Sequence, residues 1–164
     1  MKYDLRLVGP SFNKEYDTDA GSTAIYAGEP VLLGGTYSSG AASSNYASVL
    51  TDGKPVIGTD SFGGIASKDA THTAAVDGKV SVGKVYPSLT EIWGKAKVQA
   101  SVNTKAELLA LIFDVVLFDL TSTVYTIDET AAADTSGLRI EDGNPAKGEL
   151  GVTVDSRALR NDIS

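Results

Sequence analysis

His72 is the only imidazole in this chain of 164 residues, and it stands in Asp69-Ala70-Thr71-His72-Thr73, close to an acid and two hydroxyls. A hydrolytic triad needs an imidazole held between an acid and a nucleophile. Neighbours in sequence do not make a triad in space, and the chain has no Gly-x-Ser-x-Gly elbow. The expected role of His72 is therefore local hydrogen bonding in a Thr-rich turn. Carboxylates cluster at Asp17/Asp19, Asp128/Glu129 and Glu141/Asp142, and Asp-x-Asp spacing can ligate a hard cation such as calcium. None of them completes the twelve-residue calcium loop. Glu141 and Asp142, next to Gly143 and Pro145, read as turn formers, and Asp17 and Asp19 as decoration of a solvated arm. A glycosidase built on two carboxylates wants a deep, aromatic-lined cleft, and aromatics make up only 7% of the chain. Neither catalytic residues nor cofactor or metal ligands are expected.

Two further groups carry potential chemistry. Gly34 to Gly40 is rich in glycine, but no Gly-Lys-Ser/Thr follows it, so it does not match a phosphate cradle. Lys95 and Lys97 lie two apart, which on a strand puts both ammonium groups on one face beside Trp93. They suit either the guard of an edge strand or a docking patch, with the guard the commoner use.

Composition narrows the choice. There are 14 Lys and Arg against 21 Asp and Glu, a net charge of −7, which repels phosphates and anionic membranes. No nucleic acid and no membrane is expected as a partner. The absence of Cys removes disulfides, thiolate nucleophiles and sulfur-ligated zinc. With 42% hydrophobic residues the chain can build a core, and its length suits one domain. Lys2, Asp4 and Arg6 interrupt the apolar residues from Met1 to Val8, so no signal peptide is expected there. The longest apolar stretch, Leu108 to Phe118 broken by Asp114, is too short to span a bilayer.

The elements that must position any site are mostly strands. Tyr3, Leu5 and Leu7 alternate with polar residues and predict a first strand. From Gly9-Pro10 to Thr23 no period is sustained, so this stretch reads as an arm that could embrace a neighbour. Asp52-Gly53 and Asp77-Gly78 each precede a β-prone run and predict hairpin turns. Further strands are expected at Lys79 to Tyr86, Ile92 to Ala100, Val115 to Leu120, Val124 to Ile127, Leu138 to Ile140 and Leu150 to Val154. Asp142-Gly143-Asn144-Pro145 reads as a turn. Thr104-Lys105-Ala106-Glu107 is a capping box, which predicts one short α-helix near residues 104–112. The class is mainly β: an antiparallel β-barrel or β-sandwich with that single helix. Residues 1–23 form the strand and arm, 24–155 one β-rich domain and 156–164 a polar, frayed tail.

Gly63-Gly64-Ile65-Ala66, the run Asp69 to Ala74, and Asp77-Gly78-Lys79-Val80-Ser81-Val82 resemble phrases of the small head proteins of tailed bacteriophages and related viruses. Lys95-Ala96-Lys97, Phe118 to Asp128 and Gly148 to Val154 are similar to their later strands, so the likeness runs over roughly residues 60 to 155. The resemblance implies a non-enzymatic decoration (auxiliary head) protein that cements the icosahedral capsid from outside. It also implies attachment to the major capsid protein, self-association as a homotrimer or other small homo-oligomer, and a place on the outer surface of a virion made in the host cytoplasm. No catalytic residue transfers with it.

Under that expectation Tyr3, Leu5, Leu7, Phe12 and Tyr16, on the first strand and arm, are the candidates for contact with capsid or neighbouring subunit by strand addition. Deleting residues 1–23 is then expected to leave a folded core. Tyr37 and Tyr46, flanking the Ser/Gly loop, are candidates for an exposed binding loop of a host-facing, carbohydrate-directed module. A tail or head-completion subunit would have the same composition and differ in copy number.

Overall fold

Alternation decides most of this structure, a computed structural model that describes residues 4–33, 47–49, 62–121, 124–130 and 136–159. The strands are β1 (Arg6–Val8), β2 (Ser11–Thr18), β3 (Pro30–Leu33), β4 (Ala47–Val49), β5 (Phe62–Ala66) and β6 (Gly78–Val85). They continue with β7 (Glu91–Lys95), β8 (Val115–Thr121), β9 (Val124–Asp128), β10 (Leu138–Asn144) and β11 (Glu149–Val154). One α-helix, α1 (Lys105–Leu111), joins β7 to β8. The pairing is antiparallel throughout both sheets, one ordered β1-β7-β11-β10-β8-β9 and the other β2-β6-β5-β3-β4.

The mainly β class is as the sequence predicts, and of the two forms the sandwich fits. The larger sheet does not close into a barrel because β1 takes the free side of β7, pairing Arg6, Leu7 and Val8 with Trp93, Ile92 and Glu91. β9 reaches β7 only past its end, through a single parallel bridge between Ala96 and Ile127. The main core lies between the sheets. Ile92, Phe118, Tyr125, Ile127, Ile140 and Val152 meet Phe62, Ile65 and Val85 there, with Leu5 packed among them. Each such side chain removed from water stabilises the fold by about 1.5–3 kcal/mol. A second cluster of Tyr16, Ile25, Val31, Leu33, Val80 and Val82 covers the other face of the smaller sheet.

The helix is legible in its cap. Glu107 N donates to Thr104 Oγ1 at 3.2 Å and Thr104 N donates back to Glu107 Oε2 at 2.9 Å, closing the capping box.

Four expectations are corrected. Residues 11–18 are no arm: β2 pairs with β6 along its whole length, from Ser11 against Val85 to Thr18 against Gly78. Its period was hidden because only Tyr16 and Thr18 of the strand are buried. Asp77-Gly78 does not make the turn. Thr73 N donates to Val76 O at 2.9 Å and reverses the chain there, while Gly78 opens β6 where a Cβ would fall 2.1 Å from His72 N. Asp142, Gly143 and Asn144 belong to β10, which continues past a bulge after Ile140, and the reversal falls to Pro145–Lys147. Finally, the start of the supposed tail is pinned, since Ala158 is fully buried and its carbonyl accepts from Phe62 N at 2.8 Å. Asp52-Gly53 lies outside the described residues.

Candidate functional site

Two connections cross where the sheets meet. β1 passes into β2 through Gly9-Pro10, and β6 passes into β7 through Tyr86 to Thr90, so the same corner is turned twice side by side. Gly9 makes the first turn with φ +100°, a conformation that favours glycine, and a Cβ there would meet Leu89 O at 3.3 Å. Thr90, fully buried, ties the crossings together: its hydroxyl donates to Pro10 O and accepts from Tyr86 N at 2.8 Å. Leu89 N and Thr90 N both donate to Tyr86 O.

On this braced backbone stand large apolar side chains that face outward. Val8 is 44% exposed, Phe12 48%, Tyr86 44% and Leu89 62%. The rings of Phe12 and Tyr86 lean on one another with centroids 5.8 Å apart and planes at 55°. Single exposed apolar residues are ordinary, but four on two adjoining, braced connections, two of them in ring contact, are the composition of a docking surface. Elsewhere Leu109 on α1 and Phe113 just beyond it are also exposed, with Phe113 at φ 74°.

Of the four contact candidates among the described residues, the structure brings only Phe12 to this surface. Leu5 is 1% exposed and belongs to the main core, and Leu7 is half-buried against it. Tyr16 is 2% exposed, with its ring beneath the ammonium groups of Lys14 at 5.4 Å and Lys84 at 5.2 Å. Tyr3, Tyr37 and Tyr46 lie outside the described residues. Val8, Tyr86 and Leu89 were missed. The available signal was the pair of breakers, Gly9-Pro10 and Pro87, each flanked by apolar residues at a strand end.

The polar candidates are held within the fold. His72 Nε2 donates to Ser22 O at 3.2 Å, while Asp69 accepts from Ala27 N and Thr71 from Lys79 N, so no acid orients the imidazole. Glu129 accepts from Lys97 N, Val98 N and Ser101 Oγ, capping the turn after β7. Asp142 accepts from Gly143 N, and Asp17 points outward from β2. Among the described residues no group of three or more His, Asp and Glu is placed to hold a metal ion. Lys95 and Lys97 are neither guard nor patch, because β7 is flanked by β1 and β11 and both amines are engaged. Lys95 Nζ donates to Lys147 O at 2.6 Å. Lys97 Nζ bridges Asp119 at 2.9 Å and Asp128 at 2.8 Å, and those hydrogen bonds raise its pKa. Burial would push Asp128 up, but the bonds from Lys97 and Thr130 outweigh it and hold the carboxyl below the usual range.

Beyond β11, the Arg157 guanidinium grips Asp155 through two hydrogen bonds at 3.0 and 2.8 Å and lowers its pKa to about 2. A folded-state pKa depressed in this way adds stability that is present above the unfolded value and lost as pH falls through about 2. Solvent around this exposed pair keeps the gain small. In Arg157→Gln the Asp155 carboxyl carbon should titrate above about 2, toward but still below the ordinary 3.8, because the backbone N–H of residue 157 and the Arg139 charge still act on it; read by NMR, an unmoved midpoint would contradict the assignment.

Comparison with protein families and with curated proteins finds no match to this chain. Among the described residues, no helix is long and apolar enough to cross a membrane.

Proposed function

We propose that this chain is a non-enzymatic structural protein of a virion, which decorates the outside of an icosahedral capsid and stabilises the shell by binding to its major capsid protein. The observation that carries this reading is the outward-facing corner of Val8, Phe12, Tyr86 and Leu89, fixed to two cross-linked strand crossings. Its setting on a capsid comes from the resemblance of the phrases between Gly63 and Val154 to small phage head proteins. A rigid apolar anchor loses little conformational freedom on docking, so its burial goes into affinity. A small homo-oligomer of such subunits engages several capsid subunits at once, and linked weak contacts then hold as one strong one. A shell bridged in this way resists the pressure of its packed genome.

The test is cosedimentation of the purified chain with empty shells of the major capsid protein from the same virus. Saturable binding at on the order of hundreds of copies per shell, following the symmetry of the lattice, is the expected result. No binding would overturn the reading, and so would saturation at a few copies, which is the stoichiometry of a connector at one vertex.

A further inference from the structure

Beside the apolar corner, on the outer face of β8, β10 and β11, lies a polar cleft of about 290 Å³. Its walls include Ser88, Ser136, Arg139, Glu141, Thr153 and Asp155. The corner and the cleft share one loop: Tyr86 and Leu89 face the corner, Ser88 between them lines the cleft, and Ser88 N donates to Val154 O at 3.3 Å. Ser88 holds this place at φ 57°, an uncommon conformation for a residue with a Cβ.

Most polar groups of the cleft already have partners. Asp155 is gripped by Arg157. The Ser136 hydroxyl donates to Val116 O and accepts from Leu138 N, and the Thr153 hydroxyl donates to Glu141 Oε1 at 3.4 Å. Arg139 differs. It sits in the middle of the sheet, opposite Thr153 on one side and Val115 on the other, its side chain exposed, with no hydrogen bond or ion pair among the described residues. The Ser88 hydroxyl likewise has no partner among them. A planar fork of donors, without a hydrogen-bonded partner among the described residues though its charge is felt by Asp155 in the same cleft, matches a further carboxylate in geometry and charge. Glu141, two residues along β10 from Arg139 and also lining the cleft, suits a donor carried next to that carboxylate.

We infer that this cleft seats a carboxylate-bearing segment of the capsid subunit, an Asp or Glu side chain gripped by Arg139, while the adjoining corner supplies the apolar contact. The inference rests on the proposed capsid binding and adds its polar half. An apolar anchor without direction would bind any greasy surface; a fork that demands a carboxylate fixes register and rejects surfaces lacking one. In a chain of net charge −7 the field at long range does not favour anions, so this recognition acts at contact and not by steering.

Two measurements on the full chain test it. The first is an NMR titration of the Arg139 side-chain N–H signals with two capped tripeptides, Ala-Glu-Ala and Ala-Gln-Ala. Saturable shifts with the Glu peptide and none with the Gln peptide are expected, and equal behaviour of the two would overturn the site. The second is shell cosedimentation with Arg139→Gln and Arg139→Lys. Arg139→Gln should weaken binding roughly tenfold or more with an unchanged melting temperature, and Arg139→Lys should recover only part of the loss. Wild-type affinity in Arg139→Gln would overturn the inference and leave the capsid reading standing. If the wild-type chain ignores shells while the Glu peptide still titrates, the capsid reading fails and the carboxylate site survives. A loss of self-association in Arg139→Gln would assign the cleft to a second copy of the chain and overturn the occupant named here.

Discussion

A chain lacking residues 1–23 should not fold. The deletion removes β1 and β2, and with them Leu5 from the main core and Tyr16 from the second cluster, both nearly fully buried. Burial of those two side chains alone accounts for about 3–6 kcal/mol. Beyond that, β6 loses the strand paired along its whole length, β7 loses a neighbour, and Val80 and Val82 face water. Domains of this size are stable by about 5–15 kcal/mol, so the loss exceeds what the remainder can absorb. The truncated protein should show no near-UV circular dichroism and no cooperative melt. A cooperative transition within ten degrees or so of the full chain would contradict the structure, since a 1 kcal/mol change moves the midpoint by several degrees.

The second large effect is on binding. Phe12→Asp combined with Leu89→Asp should leave the fold intact, because both side chains are about half exposed or more, and should cut affinity for shells by about 100-fold or more. Truncating a central anchor of an interface costs about 2 kcal/mol or more, and each such loss is about thirtyfold in the dissociation constant. A carboxylate set into an apolar contact adds a desolvation cost to that loss. Val76→Asp is the matched control. Val76 is 64% exposed but precedes the other end of β6, away from the corner, and its substitution should change neither stability nor binding. Equal binding by the double variant and the control would remove the corner from the interface.

What could be read in the sequence follows from where the pattern is local. The α1 cap was legible because Thr104 and Glu107 satisfy each other's amides within four residues. β8, β9 and β11 were legible because their buried faces give an apolar signal along each strand itself. β2 was not, because an outer strand with Asn13, Lys14, Glu15 and Asp17 exposed carries its apolar signal only at Tyr16, and its pairing with β6 crosses some sixty residues of chain. The Asp77-Gly78 hairpin failed for the opposite reason: the dipeptide suits a primed turn, but here the glycine admits the backbone at His72 and the reversal lies upstream. The corner was half legible. Phe12 was named as a contact by strand addition from a free arm, but its backbone pairs with β6 and it is the side chain that is exposed; Val8, Tyr86 and Leu89 join it only once two crossings from distant parts of the chain are laid side by side. Arg139 carried no signal at all, since a lone arginine on a strand becomes a site only through the groups around it.

The measurement that bears most directly on the central claim is an electron cryo-microscopy reconstruction of shells saturated with the purified chain. The account predicts symmetric density on the outer surface in which Phe12, Tyr86 and Leu89 are buried against the major capsid protein. Density that places the corner in solvent, or no added density at all, would contradict it.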